Sequence, residues 1–330
     1  MITDARALRH EYVPQDLHHR GGQIDHLSSV LAPSTAELSE DVCLFGPSGA
    51  GKTTIAKYTL AQLERERLDI RWGYVNCMAD NTPAAVLHEL VRDIGLGADL
   101  RPGGNVRSRA IQRLRNSDDR LFLVLDEVAL LDEEILIALW EVPNVSLVCI
   151  TIDEDEWFTA LSSQAKSRMQ SAATVRLNKY SHSELVDILD SRVVHGLVSA
   201  RVADGVIGHI ADIAAGNARE GIAILRRAAM HVEEREMQEL TTAVVDAVVE
   251  DAAADIRERR VRSLGTHQRL LLRIIEEAGS IDSGTLHARY EAQAQSPKSK
   301  STRRRYLRSL RRYELIDRDG STRGTRYIAV

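Results

Sequence analysis

Aromatic residues are scarce in this chain, at 4% of 330 residues, so the hydrophobic core must be mainly aliphatic. Cysteine is rare too. Cys43, Cys77 and Cys149 each lie in or beside an apolar run and form no CxxC pair, which predicts reduced core thiols in a cytosolic protein. Long apolar runs are missing: none approaches the ~18 residues of a membrane span. The N-terminus also lacks the apolar segment of a signal peptide. We therefore expect no membrane partner.

The charge is unevenly distributed along the chain. The formal net charge is −5, but the segment 251–330 holds 18 basic and 10 acidic residues, a balance of +8. The remaining residues hold 25 basic and 38 acidic ones, a balance of −13. A basic C-terminal segment on an acidic body indicates that the C-terminal part contacts a polyanion.

A complete phosphate-binding motif, G-x-x-x-x-G-K-[ST], runs from Gly46 to Thr53. The apolar run Val42 to Phe45 predicts a buried strand before it, and a helical pattern begins at Lys52. Glycines allow successive backbone N–H groups to face phosphate oxygens, and the helix N-terminus adds its own N–H groups. We expect Lys52 to reach the β- and γ-phosphates of ATP and Thr53 to ligate Mg²⁺. The predicted nucleotide contacts of this loop are Gly46, Pro47, Ser48, Gly49, Ala50, Gly51, Lys52, Thr53 and Thr54.

The apolar run 121–125 is typical of a central parallel strand, and two acidic residues follow it. The run ends at Asp126 and Glu127. In open α/β sheets ligands bind at the carboxyl ends of the strands, so this pair should lie near the phosphate loop. We expect Asp126 to hold Mg²⁺ and Glu127 to activate the attacking water. The histidines have no metal-ligand spacing, so nucleotide-bound Mg²⁺ is the one metal that we predict.

Strands and helices alternate through the first half of the chain, which predicts an α/β fold with a doubly wound parallel sheet. The predicted strands are 42–45, 70–76, 121–125, 145–151 and 174–177. From 181 to 250 the pattern is helical only, which indicates a helical lid. We expect three units, at 1–178, 179–250 and 251–330.

The last unit has the pattern of a winged helix. Helices are predicted around 270–275, 283–292 and 301–312, and a β-hairpin follows with its turn at Asp319-Gly320. The third helix carries the densest basic run, with Ser and Thr at its N-terminus, as a helix in the DNA major groove would. A solvated basic face or a protein-binding winged helix are the alternatives. The predicted DNA contacts are Lys298, Lys300, Thr302, Arg303, Arg304, Arg305, Arg308, Arg323 and Arg326.

Taken together, these residues resemble the archaeal origin-recognition and cell-division-control replication initiators, which are AAA+ ATPases. The resemblance covers nearly the whole chain. Its motifs are Tyr12-Val13-Pro14, His19-Arg20, Gly46 to Thr54, Leu125-Asp126-Glu127, Lys166-Ser167-Arg168, Tyr180 with Glu184-Leu185, Gly216-Asn217-Ala218-Arg219, and Arg304-Arg305-Tyr306-Leu307 with Leu310.

The resemblance implies roles for four further residues. Arg219 is similar to the lid arginine that reaches the γ-phosphate. Tyr180 and Arg192 are similar to nucleotide contacts at the edge of the lid. Arg168 is similar to the arginine that is offered to a neighbouring subunit's nucleotide. Arg219 and Arg168 therefore join Lys52 and Glu127 as predicted catalytic residues. The resemblance also implies an initiator-specific helical insertion within 78–116.

One position departs from the family pattern. Initiators of this kind usually carry a polar residue, often Asn, after the fourth strand, where it positions water. Here the matching position is Ile152, with Thr151 and Asp153 as possible substitutes. We therefore expect nucleotide to be bound but hydrolysed slowly.

The function that follows is a nucleotide-switched, ATP-binding DNA replication initiator that recognises origin DNA. A signalling switch ATPase and a remodelling ATPase, both of which can carry a winged helix, are the alternatives. The resemblance implies origin duplex, other initiator subunits and the replicative helicase as partners. It also implies a cytoplasmic, chromosome-associated protein.

Overall fold

The computed structural model describes residues 1–14, 17–32, 40–79, 82–101, 105–320 and 324–330. Five parallel strands form the central sheet, in the order β2-β3-β4-β1-β5. They are β1 (Val42–Phe45), β2 (Ile70–Asn76), β3 (Arg120–Asp126), β4 (Val145–Thr151) and β5 (Ala173–Arg176). The predicted strands are confirmed to within one residue at their ends, and so is the parallel α/β class.

Helices cover both faces of this sheet. They are α1 (Gly21–Leu31), α2 (Lys52–Glu66), α3 (Pro83–Asp93), α4 (Val106–Arg115), a short 3₁₀ helix (Val128–Leu130), α5 (Glu133–Trp140), α6 (Glu154–Ala160) and α7 (Ser163–Ser171). Two aliphatic clusters, one on each face, bury alternate residues of β1, β3 and β4. This explains why the sequence of β3 is apolar without interruption. Helices α3 and α4 lie between β2 and β3, in the range where the insertion is expected.

The lid consists of α8 (His182–Gly196), α9 (Val206–Ala214), α10 (Ala218–Glu234) and α11 (Thr242–Ser263), which share a separate aliphatic cluster. A capping box between Ser181 and Glu184 begins α8. The first residues of the chain also belong here, because Leu8 is buried in the lid cluster and the Thr3 amide donates to Gly196 O. The expected boundary at 250 falls inside α11.

The C-terminal unit contains α12 (Thr266–Ala278), β6 (Ser280–Asp282), α13 (Ser283–Gln293), α14 (Lys300–Arg312), β7 (Ile316–Asp319) and β8 (Arg326–Ala329). Strands β7 and β8 form the predicted hairpin, and β6 adds a third, antiparallel strand that the sequence analysis did not predict. Three helices and this small sheet make a winged helix. Within the described ranges, no helix is both long and apolar enough to span a membrane.

Candidate functional site

The phosphate loop lies between β1 and α2 at the carboxyl edge of the sheet. Gly49 and Gly51 have φ angles of 76° and 91°, which side-chain-bearing residues rarely adopt. A Cβ atom at Gly49 would lie 1.8 Å from Asn217 Oδ1, and one at Gly51 would lie 2.5 Å from the Tyr180 hydroxyl. Both glycines are therefore required by backbone conformation and by the close approach of the lid.

Lys52 lies inside the loop rather than in solvent. Its ammonium group donates to Gly46 O at 2.6 Å and to Pro47 O at 2.9 Å. Burial lowers the pKa of Lys52 to about 8, and the carboxylates of Glu127 and Asp126 oppose this shift. The neighbouring Ser48 hydroxyl is buried and has no hydrogen-bond partner among the described residues. A buried cation beside an unpaired hydroxyl and a row of backbone N–H groups fits a phosphate chain.

Asp126 ends β3, and only β4 separates this strand from β1, which leads into the phosphate loop. Its Oδ2 accepts a hydrogen bond from the Thr53 hydroxyl at 2.7 Å and another from the Tyr74 hydroxyl at 3.1 Å. The structure thus brings the two predicted magnesium ligands, Thr53 and Asp126, together. Tyr74, on β2, is a supporting residue that sequence reasoning missed, and burial beside Asp126 raises its pKa. It therefore stays a hydrogen-bond donor that orients the Asp126 carboxylate.

Glu127 follows at a turn, with φ at 56° in the left-handed region. Its amide donates to Asp126 Oδ1 at 3.0 Å. Burial, together with the negative charge of Asp126, raises the pKa of the Glu127 carboxyl. In the part of the chain that the structure describes, Glu127 Oε2 is buried without a hydrogen-bond partner. Leaving such an atom unpaired costs about 1–3 kcal/mol. A buried, unpaired carboxyl oxygen therefore indicates a functional role rather than a structural one.

The end of β4 holds Ile152, at the position where the family pattern places a water-positioning residue, and its two polar neighbours, Thr151 and Asp153. Asp153 Oδ1 caps α6 by accepting from the Glu156 amide at 2.8 Å, so this carboxylate already has a structural role. Thr151 is fully buried, and no described residue hydrogen-bonds to its hydroxyl. Ile152 offers no polar atom in its side chain. Thr151 is therefore the remaining polar candidate at this position.

We predict that Ile152→Asn accelerates ATP hydrolysis. An amide at this position can hydrogen-bond an attacking water or a phosphate oxygen, which isoleucine cannot do. Single-turnover hydrolysis should therefore be faster, and ATP affinity should change little. Thr151→Val is the matched test of the neighbouring hydroxyl. If Thr151→Val abolishes hydrolysis, Thr151 already supplies the polar group and the argument from Ile152 is wrong.

The start of α10 connects the lid to the phosphate loop. Asn217 caps this helix by accepting from the Glu220 amide at 3.3 Å, and the Ala218 amide approaches Gly49 O at 3.3 Å. Arg219 is in the first turn of the helix, and its charge contributes to the lowered pKa of Lys52. The structure therefore brings the Arg219 charge close enough to act on Lys52, and its contact with the γ-phosphate stays a prediction.

Tyr180 and Arg20 close the other side of the loop. The Arg20 guanidinium lies 4.1 Å from the centre of the Tyr180 ring and donates to Ala50 O at 3.2 Å and to Asn178 O at 2.9 Å. Tyr180 thus lies against the phosphate loop, and its contact with nucleotide stays a prediction. Arg20 is a second supporting residue to which sequence reasoning gave no role, although the His19-Arg20 pair was part of the family resemblance.

Arg192 and Arg168 have other partners in this structure. Arg192 is buried, donates to Ala7 O at 2.9 Å and Tyr12 O at 3.1 Å, and stacks on the Tyr12 ring. This geometry does not support a direct nucleotide contact, because both donors hold the N-terminal segment on the lid. Arg168 is half-exposed at the end of α7, lies over Trp140 and approaches Asp41 at 3.5 Å.

The arginines of α14 divide between two faces, which the predicted DNA contacts did not distinguish. Arg303 is buried and pairs with Glu291 at 2.6 Å, so it stabilises the winged helix internally. Arg305 donates to Asp132 at 2.7 Å, and Arg308 and Arg312 approach Glu156 at 3.0 and 2.6 Å. Three of the basic side chains therefore contact the ATPase core in this arrangement. The geometry does not support Arg303 as a DNA contact.

Another face of α14 points to solvent. Lys300, Arg304 and Arg311 are exposed there, and Thr302 shares a hydrogen bond at 2.9 Å with the capping residue Ser299. On the hairpin, Arg326 is exposed and its guanidinium donates to Ser280. Lys298, just before the helix, is partly buried. Arg323 lies outside the described residues.

Comparison with known proteins identifies the family. The AAA domain family matches residues 41–153, and the Cdc6 AAA+ ATPase-type lid domain family matches residues 186–250. ORC1-type DNA replication protein 9 of Halobacterium salinarum is 34% identical over 333 residues, which cover 100% of this chain and 94% of the relative. The chain belongs to the ORC1-type DNA replication protein family. ORC1-type DNA replication protein 1 of the same organism is 35% identical over 303 residues, covering 91% of this chain and 98% of the relative.

Solved structures agree with the fold of this ORC1-type chain. The Aeropyrum pernix ORC1 protein in complex with DNA superposes with a TM-score of 0.76 at 24% identity, covering 99% of this chain and 92% of that one. The Aeropyrum pernix ORC2 protein, in ADPNP–ADP complexes, gives a TM-score of 0.66 at 24% identity, covering 100% and 94%. At this identity the likeness establishes the fold alone.

Family membership confirms the fold class and the initiator interpretation. The chain is an AAA+ protein of the replication-initiator type and neither a signalling nor a remodelling ATPase. Nucleotide binding is a property of this ATPase family. The residues fit it, because the glycine loop, the buried Lys52 and the unpaired Ser48 hydroxyl face one cleft.

Proposed function

We propose that this ORC1-type protein is a replication initiator whose grip on origin DNA depends on the nucleotide held between its sheet and its lid. One arrangement carries the proposal: the phosphate loop, the Thr53–Asp126 pair and Glu127 lie together beneath the N-terminus of α10. A basic winged helix is docked next to them.

Each element of the site has a separate role in binding or hydrolysing ATP. The loop amides and Lys52 would hold the β- and γ-phosphates, and Thr53 and Asp126 would hold Mg²⁺. Bound Mg·ATP supplies the phosphoanhydride bond that is cleaved and the γ-phosphate charge that distinguishes ATP from ADP. Glu127 orients water, and Arg219 brings α10 towards the phosphates. Because Ala218 and Asn217 contact the loop directly, a change at the loop moves the lid as well.

Partners follow from exposure and from the family. The exposed face of α14 and the hairpin residue Arg326 would contact the phosphates and bases of origin duplex. Arg168, half-exposed at the end of α7, would reach a neighbouring initiator subunit. Contact with the replicative helicase comes from family resemblance alone, as does association with the chromosome in the cytoplasm. The division into units at 1–178, 179–250 and 251–330 also remains a proposal, with α11 crossing the boundary at 250 and the first residues packed on the lid.

Footprinting of the purified protein on the host's genomic DNA, with ATP and with ADP, tests the proposal directly. We expect protection at discrete sites and a protection pattern that differs between the two nucleotides. Uniform weak protection with both nucleotides would contradict a nucleotide-switched initiator.

We predict that replacing both Arg304 and Arg311 by Ala weakens duplex binding. The logarithm of the binding constant falls linearly with the logarithm of the salt concentration. For every DNA phosphate that the variant no longer neutralises, the magnitude of this slope should fall by about 0.9. The control is Arg305→Ala, which removes one positive charge from the same helix but on the side that is bonded to Asp132. The salt slope of this control should stay close to that of the wild type. If Arg305→Ala lowers the slope by as much per charge removed as the double variant does, the core-facing side of α14 binds DNA.

A further inference from the structure

The winged helix is packed onto the ATPase core rather than tethered beside it. Met78 and Leu130 of the core belong to the same buried cluster as the winged-helix residues Leu264, Leu307 and Leu310. The Gly265 amide donates to Met78 O at 3.2 Å, and a Cβ atom at Gly265 would lie 2.4 Å from Ala79 O. Leu130 is in the 3₁₀ turn directly after Glu127, so the docking surface includes the turn that carries the catalytic carboxylate.

Ion pairs fix the orientation of α14 on this surface. Arg305 donates to Leu131 O and to the Asp132 carboxylate, directly beyond the 3₁₀ turn. Arg312, at the end of α14, donates to Glu156 at 2.6 Å and is mostly buried. The last turn of α14 therefore lies over the carboxyl edge of the sheet, beside Glu127.

The residue that this docking brings to Glu127 is Tyr313. It is 4% exposed, and its hydroxyl faces the Glu127 carboxyl. The Tyr313 hydroxyl lies within interaction range of the Glu127 carboxyl, but neither the hydroxyl nor Glu127 Oε2 is aligned for a full hydrogen bond with any described residue. A buried carboxyl and a buried phenol that can donate to it thus face each other at the docking surface.

We propose that Tyr313 is a positioning residue for Glu127, through which the winged helix controls ATP hydrolysis in its own subunit. In the hydrolysis-competent arrangement the Tyr313 hydroxyl donates to one oxygen of Glu127, which leaves the other oxygen directed at the attacking water. This inference rests on the proposed function, since it concerns the same nucleotide site.

The position of Tyr313 depends on how the winged helix packs on the ATPase core. Its main chain is held by the Ser309 carbonyl, at 3.0 Å from the Tyr313 amide, and by Arg260 of α11, which donates to Tyr313 O at 2.8 Å. DNA on the exposed side of α14 and Glu127 on its docked side are therefore connected by one helix. Any tilt of that helix that weakens the pairs of Arg305 or Arg312 also withdraws the Tyr313 hydroxyl from Glu127.

The test compares full-length wild type, Tyr313→Phe and Tyr290→Phe in ATP affinity, single-turnover hydrolysis and melting temperature. Tyr313→Phe removes a hydroxyl that makes no fully aligned hydrogen bond to any described residue, so the melting temperature should not fall. Its hydrolysis should slow about tenfold, as expected for losing one hydrogen bond to a charged catalytic group, with ATP affinity within about twofold of wild type. Tyr290→Phe should do the reverse, since the Tyr290 hydroxyl bonds His267 at 2.6 Å, within the winged helix. It should melt at a lower temperature and hydrolyse ATP like the wild type.

Each outcome decides the question. An unchanged rate in Tyr313→Phe overturns the inference, and so does a wild type that binds ATP but hydrolyses none of it. A rate that falls together with the melting temperature assigns Tyr313 a structural role and also overturns it. A wild type that binds no ATP overturns the proposed function itself, and the binding measurement separates that failure from the others.

Discussion

Lys52→Ala should lose most of the ATP affinity of the wild type, by about 100-fold or more. The Lys52 ammonium lies within the loop, bonded to the carbonyls of Gly46 and Pro47, at the place where the β- and γ-phosphates would lie. Hydrogen bonds to charged groups are worth about 1.5–3 kcal/mol each, and each 1.4 kcal/mol is a factor of about ten in affinity. Titration with a fluorescent ATP analogue measures the loss.

The control for this change is Lys179→Ala. Lys179 is exposed at the junction of sheet and lid, where its ammonium donates to Ala215 O at 3.4 Å. The substitution removes the same charge near the same cleft without touching the phosphate loop, so ATP affinity should be retained. DNA binding by Lys52→Ala in the absence of nucleotide should also persist, because the winged helix does not depend on Lys52 for its core. Wild-type ATP affinity in Lys52→Ala would mean that the nucleotide site is elsewhere.

The candidate nucleotide site is predictable from sequence because its parts are local. The phosphate loop needs glycines within a few residues of Lys52, and β1 and α2 flank it with short-range patterns. Asp126 and Glu127 follow an apolar strand, so their position at the edge of the sheet follows from the fold class. These signals required no knowledge of which distant side chains pack together.

The contacts that the sequence did not reveal are long-range. Tyr74 reaches Asp126 across 52 positions of the chain, and Arg192 holds Tyr12 across 180. Nothing in the local pattern around Arg192 distinguishes a nucleotide contact from an anchor for the N-terminal segment. The division of α14 into a docked face and an exposed face has the same cause. Asp132 and Glu156, which fix that division, look like ordinary surface acids until the domains are seen together.

Glu127→Gln should abolish hydrolysis while ATP binding persists. Gln has nearly the same size and hydrogen-bonding reach, but its amide cannot accept a proton from the attacking water. General-base catalysis contributes about 10²–10⁴-fold to a rate, so single-turnover hydrolysis should fall by at least about 100-fold. Removing a negative charge beside the phosphates should leave ATP affinity equal to that of the wild type or raise it.

The matched control is Glu134→Gln, on α5. Glu134 is exposed and approaches Arg107 at 3.3 Å, so the substitution removes a nearby acid that does not face the cleft. Its hydrolysis should match the wild type.

The double variant Tyr313→Phe with Glu127→Gln tests whether the two residues act as one unit. It should hydrolyse ATP no more slowly than Glu127→Gln alone. If Glu127→Gln retains hydrolysis, the reaction does not depend on Glu127 as a base, and positioning of the attacking water carries the rate. The Thr151 hydroxyl, which can orient water without taking its proton, would then be the first group to replace, because among the described residues it is buried without a partner at the carboxyl end of β4, the strand between β3 and β1.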